Sequence, residues 1–126
     1  MSPVTDLVIR IKNGYMAKKY RITSPYSKFR EAVLTKLKKL KYIDDFTVSG
    51  EVVKTFTIDL VSDDSNKFND VKIISKPGQR MYIPVNELKP VMSGMGYAII
   101  STPNGILTNI EAKKQNTGGE LLFYIW

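Results

Sequence analysis

Thr55-Phe56-Thr57-Ile58-Asp59-Leu60 alternates polar and apolar residues without a break. A period of two puts Phe56, Ile58 and Leu60 on one face, the pattern of a strand buried on one side. Ser49-Gly50-Glu51 supplies a turn before it, and Phe46 and Val48 supply the paired strand. Further upstream the period changes. Val33, Leu37 and Leu40 recur at helical spacing, with Ala32 and Leu34 widening the stripe and Ser27 able to cap its start. Lys36, Lys38, Lys39 and Lys41 are expected on the solvent side, either as a solvated face or as a surface for phosphates. Pro25 breaks the chain before that helix. A first helix carries Val4, Leu7, Val8, Ile11 and Tyr15 on one stripe. Ser2 then Pro3 form its start signal, Asp6 suits the positive end of its dipole, and Gly14 weakens its last turns, though Met16 and Ala17 can continue the helix.

Downstream, Ser62-Asp63-Asp64-Ser65-Asn66-Lys67 is polar and is the candidate boundary. Val71, Ile73 and Ile74 suggest a strand ended by Lys76-Pro77-Gly78, and Met81-Tyr82-Ile83 a short strand ended by Pro84. Val85 to Met92 is expected to form a helix of about two turns, limited by Pro90. Gly94 and Gly96 mark a loop. Tyr97 to Ser101 reads as a buried strand, Thr102-Pro103-Asn104-Gly105 as a tight turn, and Leu121 to Trp126 as an apolar final strand. Thr108-Asn109-Ile110-Glu111 fits a capping box, so a short helix should begin there. The expected class is α+β in two small subdomains. Residues 1–66 form an N-terminal α-β-α-β-β unit, and residues 67–126 a C-terminal one, mostly antiparallel β with short helices.

The 126 residues hold 19 Lys plus Arg against 12 Asp plus Glu, a net charge of +7, with 43% hydrophobic residues. That composition suits a folded chain. Cys and His are both absent, which excludes disulfide scaffolds, thiol nucleophiles, Ser-His-Asp triads and zinc-hydroxide chemistry. Residues 1–41 carry eleven basic and two acidic residues, residues 42–70 two basic and seven acidic, and residues 71–126 six basic and three acidic. A pI near 9.6 favours a polyanionic partner, most often nucleic acid. No apolar run approaches a membrane span, and the N-terminus has no signal-peptide pattern, so a cytoplasmic protein is expected.

No phosphate-loop or dinucleotide motif is completed. Asp44-Asp45 and Asp63-Asp64 are adjacent pairs that point to opposite faces of a strand, so no catalytic group is assigned, no enzyme is expected, and neither metal nor cofactor is implied. Three connections suit RNA instead: Ser75–Arg80, Ser101–Gly105 and Thr117–Glu120. Glycine exposes backbone donors, hydroxyls reach sugars and base edges, Lys76 and Arg80 can neutralise phosphate, and Tyr82 can stack or donate. The same stretches also fit ordinary hairpin turns.

The run Ser101-Thr102-Pro103-Asn104-Gly105-Ile106-Leu107-Thr108, then Glu111-Ala112-Lys113, then Gly118-Gly119-Glu120 resembles the C-terminal signature of the small-subunit ribosomal protein eight family. Asp6-Leu7 with Ile9-Arg10-Ile11-Lys12-Asn13-Gly14, Pro25-Tyr26-Ser27-Lys28, and Ser75-Lys76-Pro77-Gly78-Gln79-Arg80-Met81-Tyr82 are similar to its remaining motifs, in order. The resemblance implies a structural constituent of the small ribosomal subunit that binds a helical junction in the central domain of its rRNA, with the Ser101–Gly105 loop in a minor groove. By motif match it implies RNA contact at Ser101, Thr102, Asn104, Gly105, Tyr82, Gly119 and Glu120, and from the N-terminal part at Lys28 and Arg30. Glu120 is expected to orient the loop or accept from a base amino group, because its charge repels phosphate. Implied partners are the rRNA, neighbouring small-subunit proteins and, as in some family members, an operon mRNA that mimics the rRNA site. The implied place is the cytoplasmic ribosome, or an organellar one. The alternatives are a regulatory mRNA binder and a protein-interaction domain that binds no nucleic acid. Pro103, Asn109, Ile110 and Lys113 depart from the family pattern. Pro103 removes a hydroxyl and a backbone donor, and the changes at 109, 110 and 113 are expected to reduce phosphate contact.

Overall fold

A computed structural model describes residues 3–61 and 67–126. The expected Ser2 cap and most of the polar boundary stretch, residues 62–66, lie outside the described residues. The chain forms two compact units, Pro3–Phe68 and Asn69–Trp126.

The first unit runs α1 (Pro3–Met16), β1 (Arg21–Pro25), α2 (Lys28–Lys39), β2 (Asp45–Ser49) and β3 (Thr55–Asp59). Its antiparallel sheet has the order β1-β3-β2, so the alternating stretch Thr55–Asp59 is the central strand. Ile22 and Phe46 flank Ile58, while Ser24 and Val48 flank Phe56. Phe56 and Ile58 are fully buried with Leu7, Val8 and Ile11 of α1 and Val33, Leu34 and Leu37 of α2. Phe46 meets the Phe56 ring edge-on at 5.8 Å between centroids.

Two residues, Ala32 and Lys36, lie opposite to expectation. Gly14 does not end α1, which continues to Met16 as expected. It lies on the buried stripe, where an added Cβ would stand 2.8 Å from both Ile22 Cγ2 and Leu60 Cδ1, so the helix approaches that closely only with glycine there. Ala32 is exposed, because the inward stripe of α2 is Arg30, Val33, Leu34 and Leu37 at i, i+3, i+4, i+7; Lys36, beside Leu37 and off that stripe, is nonetheless buried. Ser27 does cap α2, accepting from the Arg30 N–H at 3.1 Å.

The second unit runs β4 (Val71–Ile73), β5 (Tyr82–Ile83), a 3₁₀ turn (Val85–Glu87), a second one (Met92–Gly94), β6 (Tyr97–Thr102), β7 (Gly105–Thr108), α3 (Asn109–Lys114) and β8 (Gly119–Ile125). The sheet order is β4-β8-β6-β7, and β5 also pairs with β8, all antiparallel. Thus β8 has β6 along one edge, and β4 and β5 end to end along the other. Ala98, Ile100, Leu107 and Leu121 of this sheet pack with Ala112 of α3 and with Leu88.

The expected two-turn helix over Val85–Met92 does not form. One 3₁₀ turn ends at Leu88, whose N–H bonds the Val85 carbonyl at 3.2 Å. Pro90 offers no donor to continue it, and Val91 instead bridges to Gly96. The capping box does form: the Thr108 hydroxyl accepts from Glu111 N at 3.1 Å and the Glu111 carboxylate from Thr108 N at 3.0 Å.

Candidate nucleic-acid interface

Residues opposite one another in neighbouring strands point to the same side of a sheet. Glu120 of β8 opposes Tyr82 of β5 on one edge and Ser101 of β6 on the other, and Ser101 in turn opposes Ile106 of β7. Tyr82, Glu120, Ser101 and Ile106 therefore form one row across four strands, beside the Thr102–Gly105 turn. Tyr82 is 73% exposed. Among the described residues the hydroxyls of Tyr82 and Ser101 have no hydrogen-bond partner, so both are available to a ligand.

The turn is internally braced. The Thr102 hydroxyl donates to the Gly105 carbonyl at 2.9 Å and accepts from Asn104 N at 3.1 Å. The Asn104 side-chain amide donates to Gln115 Oε1 at 3.2 Å, which ties the turn to the end of α3. Pro103 occupies the first corner (i+1) of this Thr-Pro-Asn-Gly turn, where a fixed φ is an asset. Gly105 adopts φ +110°, a conformation other residues avoid, although a Cβ there would meet nothing within 4 Å. Thr102 and Asn104 thus shape the loop as well as present it.

Gly118 and Gly119 have a packing reason. A Cβ on Gly119 would lie 2.2 Å from the Ser101 carbonyl oxygen, and one on Gly118 2.4 Å from that of Ile83. Only glycine lets β8 pass between β5 and β6 this closely. Arg80 Nη1 pairs with Glu120 Oε2 at 3.1 Å, so the one carboxylate of the row is partly neutralised by a half-exposed guanidinium.

Lys76 and Gln79 exchange backbone bonds at 3.0 and 2.9 Å, closing a tight turn that leaves Lys76 and Arg80 exposed. Ser75, read from the sequence as a group able to reach sugars, is buried. Its hydroxyl donates to the Leu121 carbonyl at 2.7 Å and accepts from Met81 N at 3.0 Å, fastening this turn to β8.

Lys28 is exposed at the first residue of α2, in the other unit. Arg30, expected beside it as an RNA contact, is only 9% exposed. Its Nη1 donates to Asp6 Oδ2 at 2.9 Å and to the Ser24 hydroxyl at 2.5 Å, which makes it an internal strut of that unit. Burial alone would raise the Asp6 carboxyl, but the hydrogen bonds and charges of Arg10 and Arg30 outweigh it and hold it below the ordinary value. The first unit also carries an open recess of about 440 Å³ lined by Arg10, Asn13, Lys19 and Arg21 among others. Its members come from a helix, a loop and a strand, so no contiguous run of the sequence marks it.

Among the described residues no cluster of three metal-ligating side chains exists, and no helix is long and apolar enough to cross a membrane. The family model described as Ribosomal protein S8 matches residues 2–126. The small ribosomal subunit protein uS8 of Persephonella marina is 39% identical, over 98% of this chain and 97% of its own length. The proteins of that name from Mesoplasma florum and Pseudoalteromonas atlantica are 40% and 37% identical, each over 98% of this chain. With the family's model and its full-length relatives agreeing over nearly every residue, the chain belongs to the ribosomal protein S8 family, whose members are structural proteins of the small ribosomal subunit.

Proposed function

We propose that the chain is a primary rRNA-binding protein, which binds a helical junction in the central domain of small-subunit rRNA and stabilises its folded geometry. Family membership supplies the small subunit. The observation that carries the finer reading is the Tyr82–Glu120–Ser101 row beside a braced, protruding turn. An A-form minor groove is wide and shallow and displays 2′-hydroxyls, so it is read by hydroxyls and backbone groups on a firm edge. Ser101 and Tyr82 offer such hydroxyls, and the Thr102–Gly105 backbone and the exposed Asn104 form the tip. Glu120, held by Arg80, accepts from a base amino group. Lys76, Arg80 and Lys28 neutralise phosphates and supply the salt-dependent part of the affinity. Arg30 is left out of this interface because its guanidinium is used within the fold. The same reading takes the compartment to be the cytoplasm.

The test is a Tyr82→Phe, Ser101→Ala double variant. Neither hydroxyl holds the fold together, so the variant should fold normally. Its affinity for a central-domain junction fragment should drop by about 10- to 100-fold, as expected for two lost polar contacts. Its affinity for a plain RNA duplex should stay the same. Unchanged affinity for the junction would remove this row from the interface.

A further inference from the structure

We propose that the groove between the Leu88–Gly96 segment and α3 is a docking site for an acidic peptide segment with an apolar anchor, carried by another protein. It lies apart from the Tyr82–Glu120–Ser101 row and does not depend on the RNA reading. The groove measures about 500 Å³, within the range of preformed ligand pockets. Its apolar lining includes Leu88, Pro90, Val91 and Ile110. Ile110 is 49% exposed although it sits in the first turn of a helix.

Among the described residues the charged ones that line the groove are Lys89, Lys113 and Lys114, with no acid among them. Among the described residues none of these three ammonium groups is held in an ion pair. An apolar floor under three free cations complements a chain that offers one or two large apolar side chains flanked by carboxylates. Among the described residues no aromatic ring lines the groove, so they provide no stacking platform of the kind by which proteins hold unpaired bases. That favours peptide over RNA.

The walls are fixed before any partner arrives. Asn109 is buried; its Nδ2 donates to the Lys89 carbonyl at 2.9 Å and its Oδ1 accepts from Ala98 N at 3.2 Å. The loop opposite is closed by Gly94 N and Gly96 N on the Val91 carbonyl at 2.9 and 3.1 Å. It carries Met92, Ser93 and Gly94 with φ of 49°, 56° and 91°. Consecutive left-handed residues persist only where the surroundings determine them. Met92 and Met95 stand exposed on this loop, and methionine adapts readily to a partner's shape.

The experiment is a titration of the full chain, labelled with nitrogen-15, followed by amide chemical shifts. The probe is a capped heptapeptide of glutamates with two leucines; the controls are the same peptide with serines for leucines, and a short oligouridine. The glutamate–leucine peptide should shift amides of residues 88–96 and 109–114 saturably. The serine peptide should bind at least about tenfold more weakly. Ile110→Ser should cost a similar factor without changing affinity for the rRNA junction fragment. Should that variant misfold, the two peptides on the unmodified chain decide the matter alone. Equal binding of both peptides, no saturable shift at these residues, or oligouridine competing for the same amides would overturn the proposal; the last outcome would make the groove an RNA surface.

Discussion

Glycines 105 and 119 flank the same turn region for different physical reasons, and substitution separates them. Gly119→Ala forces a Cβ against the Ser101 carbonyl, so the strands must part, and about 1–3 kcal/mol of stability should be lost in urea unfolding. Gly105→Ala meets open space and costs only the left-handed backbone, about 1 kcal/mol. Ser75→Ala strands a Met81 N–H and a Leu121 carbonyl inside the fold. It should lower stability by about 1–3 kcal/mol and loosen the Lys76–Gln79 turn, read as faster amide exchange there. These roles were only partly legible in the sequence. The sequence placed Ser75 in a polar connection suited to RNA, and the family resemblance implied contact at Gly119 and Arg30, but neither signal reveals that Ser75 and Arg30 are bonded within the fold or that Gly119 packs against β6. For Arg30 a signal was present: it lies three residues before Val33 and seven before Leu37, in phase with the apolar stripe of α2.

At the scale of elements, the strongest local signals produced the elements they announce. The Thr108–Glu111 box caps α3, Ser27 caps α2, and the alternation at 55–60 forms the central strand of the first sheet. Thr108→Ala should cost about 1 kcal/mol through the lost cap, measured as a shift in the thermal midpoint. It should also disturb Asn104, because α3 carries Gln115 to that side chain. Strand β1 was the harder element to read. Arg21–Pro25 is short and ends in proline, and it becomes a strand by pairing with β3, a contact distant in sequence. The Val85–Met92 segment misled for the converse reason. Its spacing suits a helix, but Pro90 has no N–H to carry one beyond the single 3₁₀ turn, and Leu88 is buried in the sheet's core without a helix. Gly14 shows the limit of propensity, since a residue that weakens an isolated helix is required where that helix meets Ile22 and Leu60.

For the molecule as a whole, charge sets both pH and salt behaviour. The Asp6 carboxyl titrates below its ordinary value of 3.8 in the folded chain. A lowered folded value means the unfolded chain takes up the proton first. The stabilising contribution is therefore fully present above that ordinary value, and it fades as pH falls through the folded one. Unfolding midpoints should decline on acidification below about pH 4, and Asp6→Asn should flatten part of that decline. An undiminished decline would mean other carboxylates dominate. The +7 net charge should give any RNA some affinity, with a log–log salt slope of about 0.7–0.9 for each phosphate contacted. Specificity must come from elsewhere, and in the proposed interface the Thr102–Gly105 turn and its neighbouring row provide it. The most direct measurement is the affinity of the unmodified chain for a central-domain junction fragment and for a plain duplex of equal length, across a salt series. Both affinities should fall as salt rises while the preference for the junction persists. Affinities that coincide throughout would show that charge alone binds the RNA, and would contradict the role given to the turn.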